Sequence, residues 1–98
     1  MKKNEAVVLF FGEKYDSPLV LNDIKRKDGK IISGWVFNGN WDYRVRNGKM
    51  YNGSRKEDYI QDLPEKITEI DVTDLYAATG DYNEIIWKAR KLIHEEQN

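Results

Sequence analysis

The stretch from Lys30 to Tyr51 most constrains the fold, because it places two Asn-Gly pairs between runs of β-branched and aromatic residues. Both central residues of a type I′ turn have positive φ, a conformation that Asn and Gly accept readily. The pairs at Asn38–Gly39 and Asn47–Gly48 therefore predict consecutive antiparallel hairpins. At the second pair, a two-residue turn would place Val45 opposite Met50.

The register of the first hairpin decides which side chains share a face of the sheet. A two-residue turn would pair Phe37 with Asn40, whereas a bulged turn with Gly39 in the left-handed region pairs Trp35 with Trp41. We prefer the bulged turn, because it gathers the apolar odd-numbered residues on one buried face: Ile31, Trp35, Phe37, Trp41, Tyr43 and Val45. It sends the charged residues Asp42, Arg44 and Arg46 to the opposite face.

The rest of the chain adds strands before the hairpins, then a strand and helices after them. The predicted strands are Glu5–Phe11, which is apolar throughout and should be buried on both faces, then Leu19–Lys27, Lys30–Phe37, Trp41–Arg46, Lys49–Tyr51 and an edge strand at Lys66–Val72. Ser54–Leu63 begins with a capping-box pattern and predicts a short helix before Pro64. Thr73–Thr79 predicts one helical turn closed by Gly80.

The last element is the clearest helix. Asp81 is the predicted N-cap, and an apolar stripe at helical spacing runs through Tyr82–Glu95. We therefore expect residues 1–98 to form one small α+β domain. Its fold would be a twisted antiparallel sheet of about five strands, a meander or a half-open small barrel, packed against a C-terminal helix.

Composition narrows the classes of function. The chain has 98 residues, a net charge of −1 and no cysteine, which excludes disulfides and thiolate chemistry. The longest apolar run is the six residues 6–11, far short of the roughly 20 needed to cross a bilayer. The sequence thus favours a cytoplasmic protein without membrane contact. Residues 25–56 are mostly basic and residues 57–86 mostly acidic. The two halves either pair with each other in the fold or face solvent on different elements, or the first forms a basic sheet surface that meets an anion.

Few residues could carry out catalysis. His94 is the one histidine, and it lies in the final turn of the predicted helix, where it complements the helix dipole. Neither a phosphate-binding glycine loop nor a metal-ligand spacing is present in the sequence. We therefore expect no catalytic residues, cofactor or metal, and predict a protein that is not an enzyme.

The predicted basic face of the sheet is the best candidate for binding. Arginine forks suit carboxylates and phosphates, and exposed aromatic rings provide stacking surfaces. The candidate residues are Arg44, Arg46, Lys49, Tyr51, Asp42 and Trp35. We predict a small accessory, regulatory or inhibitor protein of bacterial or phage origin that contacts another protein or itself. The alternative is a small β-barrel that binds nucleic acid or a nucleotide through its basic sheet face.

Overall fold

The computed structural model describes residues 4–11, 16–37, 43–53 and 55–97. The strands in these ranges are β1 (Val7–Phe11), β2 (Asp16–Lys27), β3 (Lys30–Val36), β4 (Tyr43–Arg46), β5 (Lys49–Asn52), β6 (Tyr59–Asp62) and β7 (Ile67–Asp71). A 3₁₀ turn lies at Lys56–Asp58, and the helices are α1 (Thr73–Thr79) and α2 (Tyr82–Gln97).

These strands form one antiparallel sheet in the order β6-β5-β4-β3-β2-β1-β7, and the two end strands, β6 and β7, do not pair with each other. The predicted fold class, an antiparallel sheet packed against a C-terminal helix, is confirmed, although the sheet has seven strands rather than about five. Neither helix is long and apolar enough to cross a membrane, within the ranges described.

Two tight turns set the register of the central hairpins. Asp28 and Gly29 have φ values of 53° and 81°, and Asn47 and Gly48 have values of 51° and 76°. These are the positive angles that a type I′ turn requires. Val45 consequently pairs with Met50, as predicted from the Asn-Gly pair.

Strand β1 lies between β2 and β7 and is buried on both faces, as its continuous apolar sequence predicts. Successive side chains of a strand point to opposite faces. Val8 and Phe10 therefore belong to a core beneath the helices, whereas Val7 and Leu9 belong to a second core on the other side of the sheet. Strand β2 does the same, with Val20 in the core beneath the helices and Leu21 in the second core.

The first core fills the space between the sheet and α2. Its buried members are Ala6, Val8, Phe10, Val20, Ile70, Val72, Ile85, Ala89 and Ile93. Helix α2 begins as predicted, with the Glu84 N–H donating to Asp81 Oδ1 at 3.1 Å. Helix α1 ends at Gly80, whose φ of 59° is the left-handed cap expected from the sequence.

The second core lies inside the curl of the sheet. Its buried residues are Val7, Leu9, Leu21, Val36 and Val45. In a flat sheet, β7 and β4 would lie about 19 Å apart, since neighbouring strands are about 4.8 Å apart. Nevertheless, Ile67 of β7 and Val45 of β4 line one cavity. The sheet is therefore strongly curved, and we call the side that holds the second core the concave side.

The predicted register between β3 and β4 is wrong. Trp35 lies opposite Arg44 and Ser33 opposite Arg46, so the strands are offset by three residues from the bulged-turn prediction. Directly paired residues share a face, and the apolar odd-numbered residues therefore separate. Val45 enters the concave core, whereas Phe37 packs against the helix-side core. The turn at Asn38–Gly39, Trp41 and Asp42 lie outside the described residues.

The predicted helix at Ser54–Leu63 is also wrong. Only the 3₁₀ turn forms, with the Arg55 N–H donating to Asp58 Oδ2 at 3.0 Å, and the chain continues as strand β6. A helix of this length is marginal in water unless one face is buried. As a strand, the same segment pairs Tyr59 with Tyr51 and satisfies the backbone of β5.

Two glycines provide a matched test of the turn geometry. Gly48→Ala should lower the free energy of unfolding by about 1 kcal/mol, because an L side chain is strained at a φ of 76°. Gly34→Ala should leave stability unchanged or raise it by up to about 1 kcal/mol, since a mid-strand glycine is costly. Its added Cβ would meet neighbouring atoms only at 3.5 Å. Urea unfolding measures both, and equal losses would contradict the assigned turn.

Candidate binding face

The side of the sheet that carries the helices extends beyond them across β3, β4, β5 and β6. Asn22 of β2 lies on the helix side, since its side-chain amide donates to the Tyr76 hydroxyl of α1 at 2.5 Å. From Asn22, a row of directly opposed residues crosses the strands: Trp35, Arg44, Tyr51 and Tyr59. Paired residues project from the same face, so the whole row lies on the helix side.

A second row runs parallel to the first and is mainly polar. It consists of Lys25, Ser33, Arg46, Lys49 and Asp62, each opposite its neighbour in the row. We call the surface formed by Trp35, Arg44, Arg46, Lys49, Tyr51 and Tyr59 the outer face. It combines three aromatic rings with three cations.

Each cation of the outer face is stacked on an aromatic ring. The Arg44 guanidinium carbon lies 4.9 Å from the ring centroid of Trp35, and that of Arg46 lies 4.7 Å from the centroid of Tyr51. The Lys49 ammonium lies 5.5 Å from the centroid of Tyr59. Cation–π contacts at these distances contribute about 0.5–1 kcal/mol at exposed sites. These contacts favour one arrangement of the long side chains without a ligand.

At one end of the outer face, Asp62 joins Lys49 to Tyr59. Asp62 Oδ1 accepts hydrogen bonds from the Lys49 ammonium and from the Tyr59 hydroxyl, both at 2.8 Å. The bond from Lys49 holds the pKa of Asp62 below its ordinary value, and Asp62 in turn raises the pKa of Lys49 and of the Tyr59 phenol. The charge of Lys49 is thus balanced within the protein.

The two arginines have a different environment. Over the described ranges, neither Arg44 nor Arg46 forms an ion pair with a carboxylate. The Nε atom of Arg44 is buried and has no acceptor in the same part of the chain. A buried donor without a partner costs about 1–3 kcal/mol. Among the described residues, the two arginines are therefore the cations of the outer face that no carboxylate neutralises.

The structure brings together five of the six residues that the sequence singles out. Trp35, Arg44, Arg46, Lys49 and Tyr51 all lie on the outer face, and their role in binding remains a prediction. The sixth, Asp42, lies outside the described residues. The predicted separation of an aromatic face from a charged face is wrong, because Trp35 and Arg44 are direct neighbours across β3 and β4.

Sequence reasoning missed Tyr59 and Asp62, because it assigned their segment to a helix. The available signal was the spacing from Tyr51: the chain needs only a short turn to bring a second tyrosine opposite the first, and the two rings lie 6.0 Å apart. Tyr59 is 48% exposed, so the ring is accessible at the edge of the sheet.

Groups suited to catalysis are sparse in the parts of the chain that the structure describes. No cluster of three or more histidine, aspartate and glutamate side chains that could hold a metal ion occurs there. His94 is exposed in the last turn of α2, as its position in the sequence predicts. The shifted pKa values of Lys49, Tyr59 and Asp62 arise from the hydrogen bonds among these three exposed side chains.

The contact between Tyr59 and Asp62 can be tested by titration. Asp62→Asn should bring the raised pKa of the Tyr59 phenol back toward 10, because a neighbouring carboxylate disfavours the phenolate. The ¹³Cζ chemical shift of Tyr59 followed against pH measures this change. Glu57→Gln removes a nearby exposed charge without touching Tyr59 and is the control. Equal shifts in the two variants would show that the hydrogen bond is absent.

The chain was compared with protein-family models, with curated proteins and with solved structures, and no match was found in any of the three comparisons. The geometry and charge of the outer face are therefore the features that indicate a function.

Proposed function

We propose that the protein is a non-enzymatic binding protein whose outer face docks on an acidic surface of a partner protein. The observation that carries this proposal is the stacking of each of the three cations on an aromatic ring of a neighbouring strand. The same three residue types, Trp, Tyr and Arg, are the ones that dominate the binding energy of protein interfaces.

Pre-ordering of these side chains favours binding. An interface normally costs about 0.5–1.5 kcal/mol for each flexible side chain that becomes immobilised. On the outer face, Arg44 and Arg46 are already held against Trp35 and Tyr51. Strand pairing on both sides of β4 and β5 fixes the backbone beneath them. Much of the entropy cost is therefore met during folding.

The charge of the outer face selects the kind of partner. Arg44 and Arg46 are not neutralised by carboxylates in the described ranges, and Lys25 adds an exposed cation at the end of the second row. Complementary charge speeds association and disfavours wrong partners. An acidic protein surface fits this pattern, and a sequence without cysteine suits a partner in the cytoplasm.

The combination of rings and cations also favours a second candidate, single-stranded nucleic acid. Bases stack on aromatic side chains and phosphates pair with arginine, so a surface that interleaves the two can follow a strand. Trp35 and Tyr51 are half-buried rings with arginines beside them. For nucleic acid, the expected dependence of binding affinity on salt concentration differs from that for a protein partner.

Arg44→Met tests the docking of a protein partner. Methionine keeps the packing on Trp35 but removes the charge, and it also removes the unpartnered Nε. We expect the free energy of unfolding to fall by no more than about 0.5 kcal/mol, since loss of the cation–π contact is offset by removal of the buried donor. Capture of a partner from source-cell extract should weaken at least about tenfold, as expected of an interface hot spot.

Arg90→Met is the matched control for this experiment. Arg90 is also stacked on an aromatic ring, with 5.9 Å between its guanidinium carbon and the Phe10 centroid, but it lies on α2. Its variant should keep partner capture intact. If Arg90→Met weakens capture as much as Arg44→Met does, the outer face is not the interface.

Nucleic-acid binding is tested by fluorescence anisotropy with a labelled oligothymidylate. If this candidate is correct, binding should weaken with salt, and Arg46→Met should reduce the log–log slope by about 0.7, the value for one contact with a single strand. Arg90→Met should leave the slope unchanged. Absence of binding at low salt would eliminate nucleic acid and leave the protein partner as the proposal.

A further inference from the structure

The concave side of the sheet contains a cavity of about 390 Å³. It lies where the sheet fails to close, between β7 on one side and the two type I′ turns on the other. The cavity is lined by Leu9, Ile31, Val45, Leu63 and Ile67, together with Gly29, Lys30, Gly48, Glu65 and Glu69. None of these residues belongs to the outer face.

The cavity is built like a site for a small molecule. Its base consists of Leu9 and Val45, which are 3% and 2% exposed and belong to the concave core. Ile31, Leu63 and Ile67 form apolar walls. Sites for small molecules are mostly apolar, have volumes of about 300–1,000 Å³ and contain a few polar groups that fix orientation. The polar groups of this cavity lie at its rim.

The rim carries an excess of negative charge. The Arg26 guanidinium is shared by two carboxylates, with Nη2 at 2.8 Å from Glu5 Oε2 and 2.7 Å from Glu69 Oε1. Glu65, Glu69 and Lys30 line the cavity, and Glu5 and Arg26 lie beside it through the ion pair with Glu69, so these three carboxylates and two cations carry a net charge of −1. One guanidinium cannot neutralise two carboxylates. The hydrogen bonds with Glu5 and Glu69 raise the pKa of Arg26 above its ordinary value, so the guanidinium stays charged.

We propose that the cavity binds a small cationic amphiphile, with an apolar body inside and an ammonium head among the rim carboxylates. Burial of the apolar body supplies the affinity, at roughly 25 cal/mol per Å² removed from water. The excess carboxylate charge orients the head group and disfavours an anionic head. This proposal does not depend on the function of the outer face, because the two sites share no residue.

Decylamine is the test ligand, and decanoate, which has the opposite head-group charge, is the comparison. Both are titrated into the ¹⁵N-labelled full chain below their micelle concentrations and followed by amide chemical shifts. We expect decylamine to shift the amides of Leu9, Val45 and Ile67, and to bind at least about fivefold more tightly than decanoate. Arg44→Met on the outer face should bind decylamine as the unchanged protein does.

Two isoleucines on edge strands form a matched pair of variants. Ile67 lines the cavity and is 38% exposed, whereas Ile60 of β6 does not line it and is 42% exposed. Ile67→Ser should weaken decylamine binding about five- to tenfold through lost apolar contact, and Ile60→Ser should leave it unchanged. Because both side chains are partly exposed, neither change should unfold the protein.

The rim charge has its own test. Glu65→Gln should weaken decylamine and strengthen decanoate, each about two- to fivefold, whereas Glu57→Gln in the 3₁₀ turn should change neither. The proposal is overturned if decylamine causes no shifts, if decanoate binds equally well, or if Ile60→Ser and Ile67→Ser weaken binding alike. A concentration-dependent dimer that excludes decylamine would also overturn it, since a second copy would then occupy the cavity.

Discussion

The structure depends on the burial of strand β1 from both sides. Val8 and Phe10 are removed from water by the helices, and Val7 and Leu9 by the curled sheet. A central strand of this kind has no solvent-facing side chains, so its neighbours on both edges must be in place before either core is complete. The pairing of β1 with β2 and β7 therefore links a meander at one end of the sheet to the helices at the other.

This arrangement leaves two surfaces of different character. The helices pack over β7, β1 and β2, so the strands beyond β2 expose their helix-side residues as the outer face. Curling of the sheet makes the opposite side concave, and its open edge becomes an apolar cavity with carboxylates at the rim. The outer face presents aromatic rings and cations, whereas the concave side encloses a small apolar cavity. The difference follows from the curl of the sheet and from the position of the helices, which pack over the strands at one end of the sheet.

Prediction from the sequence succeeded where a local rule decides the structure. Asn47–Gly48 specifies its turn through backbone conformation alone, and the spacing of apolar residues after Asp81 specifies a helix. It failed where two local readings were equally acceptable. Neither register considered for the hairpin after Trp35 is the observed one, and the segment ending at Asp62 could begin a helix or extend a sheet. Local propensity does not take into account that the edge of β5 needs a strand to pair with, and β6 is that strand.

By itself, the sequence determined that the chain is an α+β domain with a buried first strand, a type I′ hairpin at Asn47–Gly48 and a C-terminal helix. It also identified Arg44, Arg46 and Tyr51 as candidates. Only the tertiary structure decided that these residues share a face with Trp35, and that a cavity opens on the other side. The physical reason is that a one-residue change of register exchanges the faces of every side chain, and register is decided by packing between strands distant in sequence.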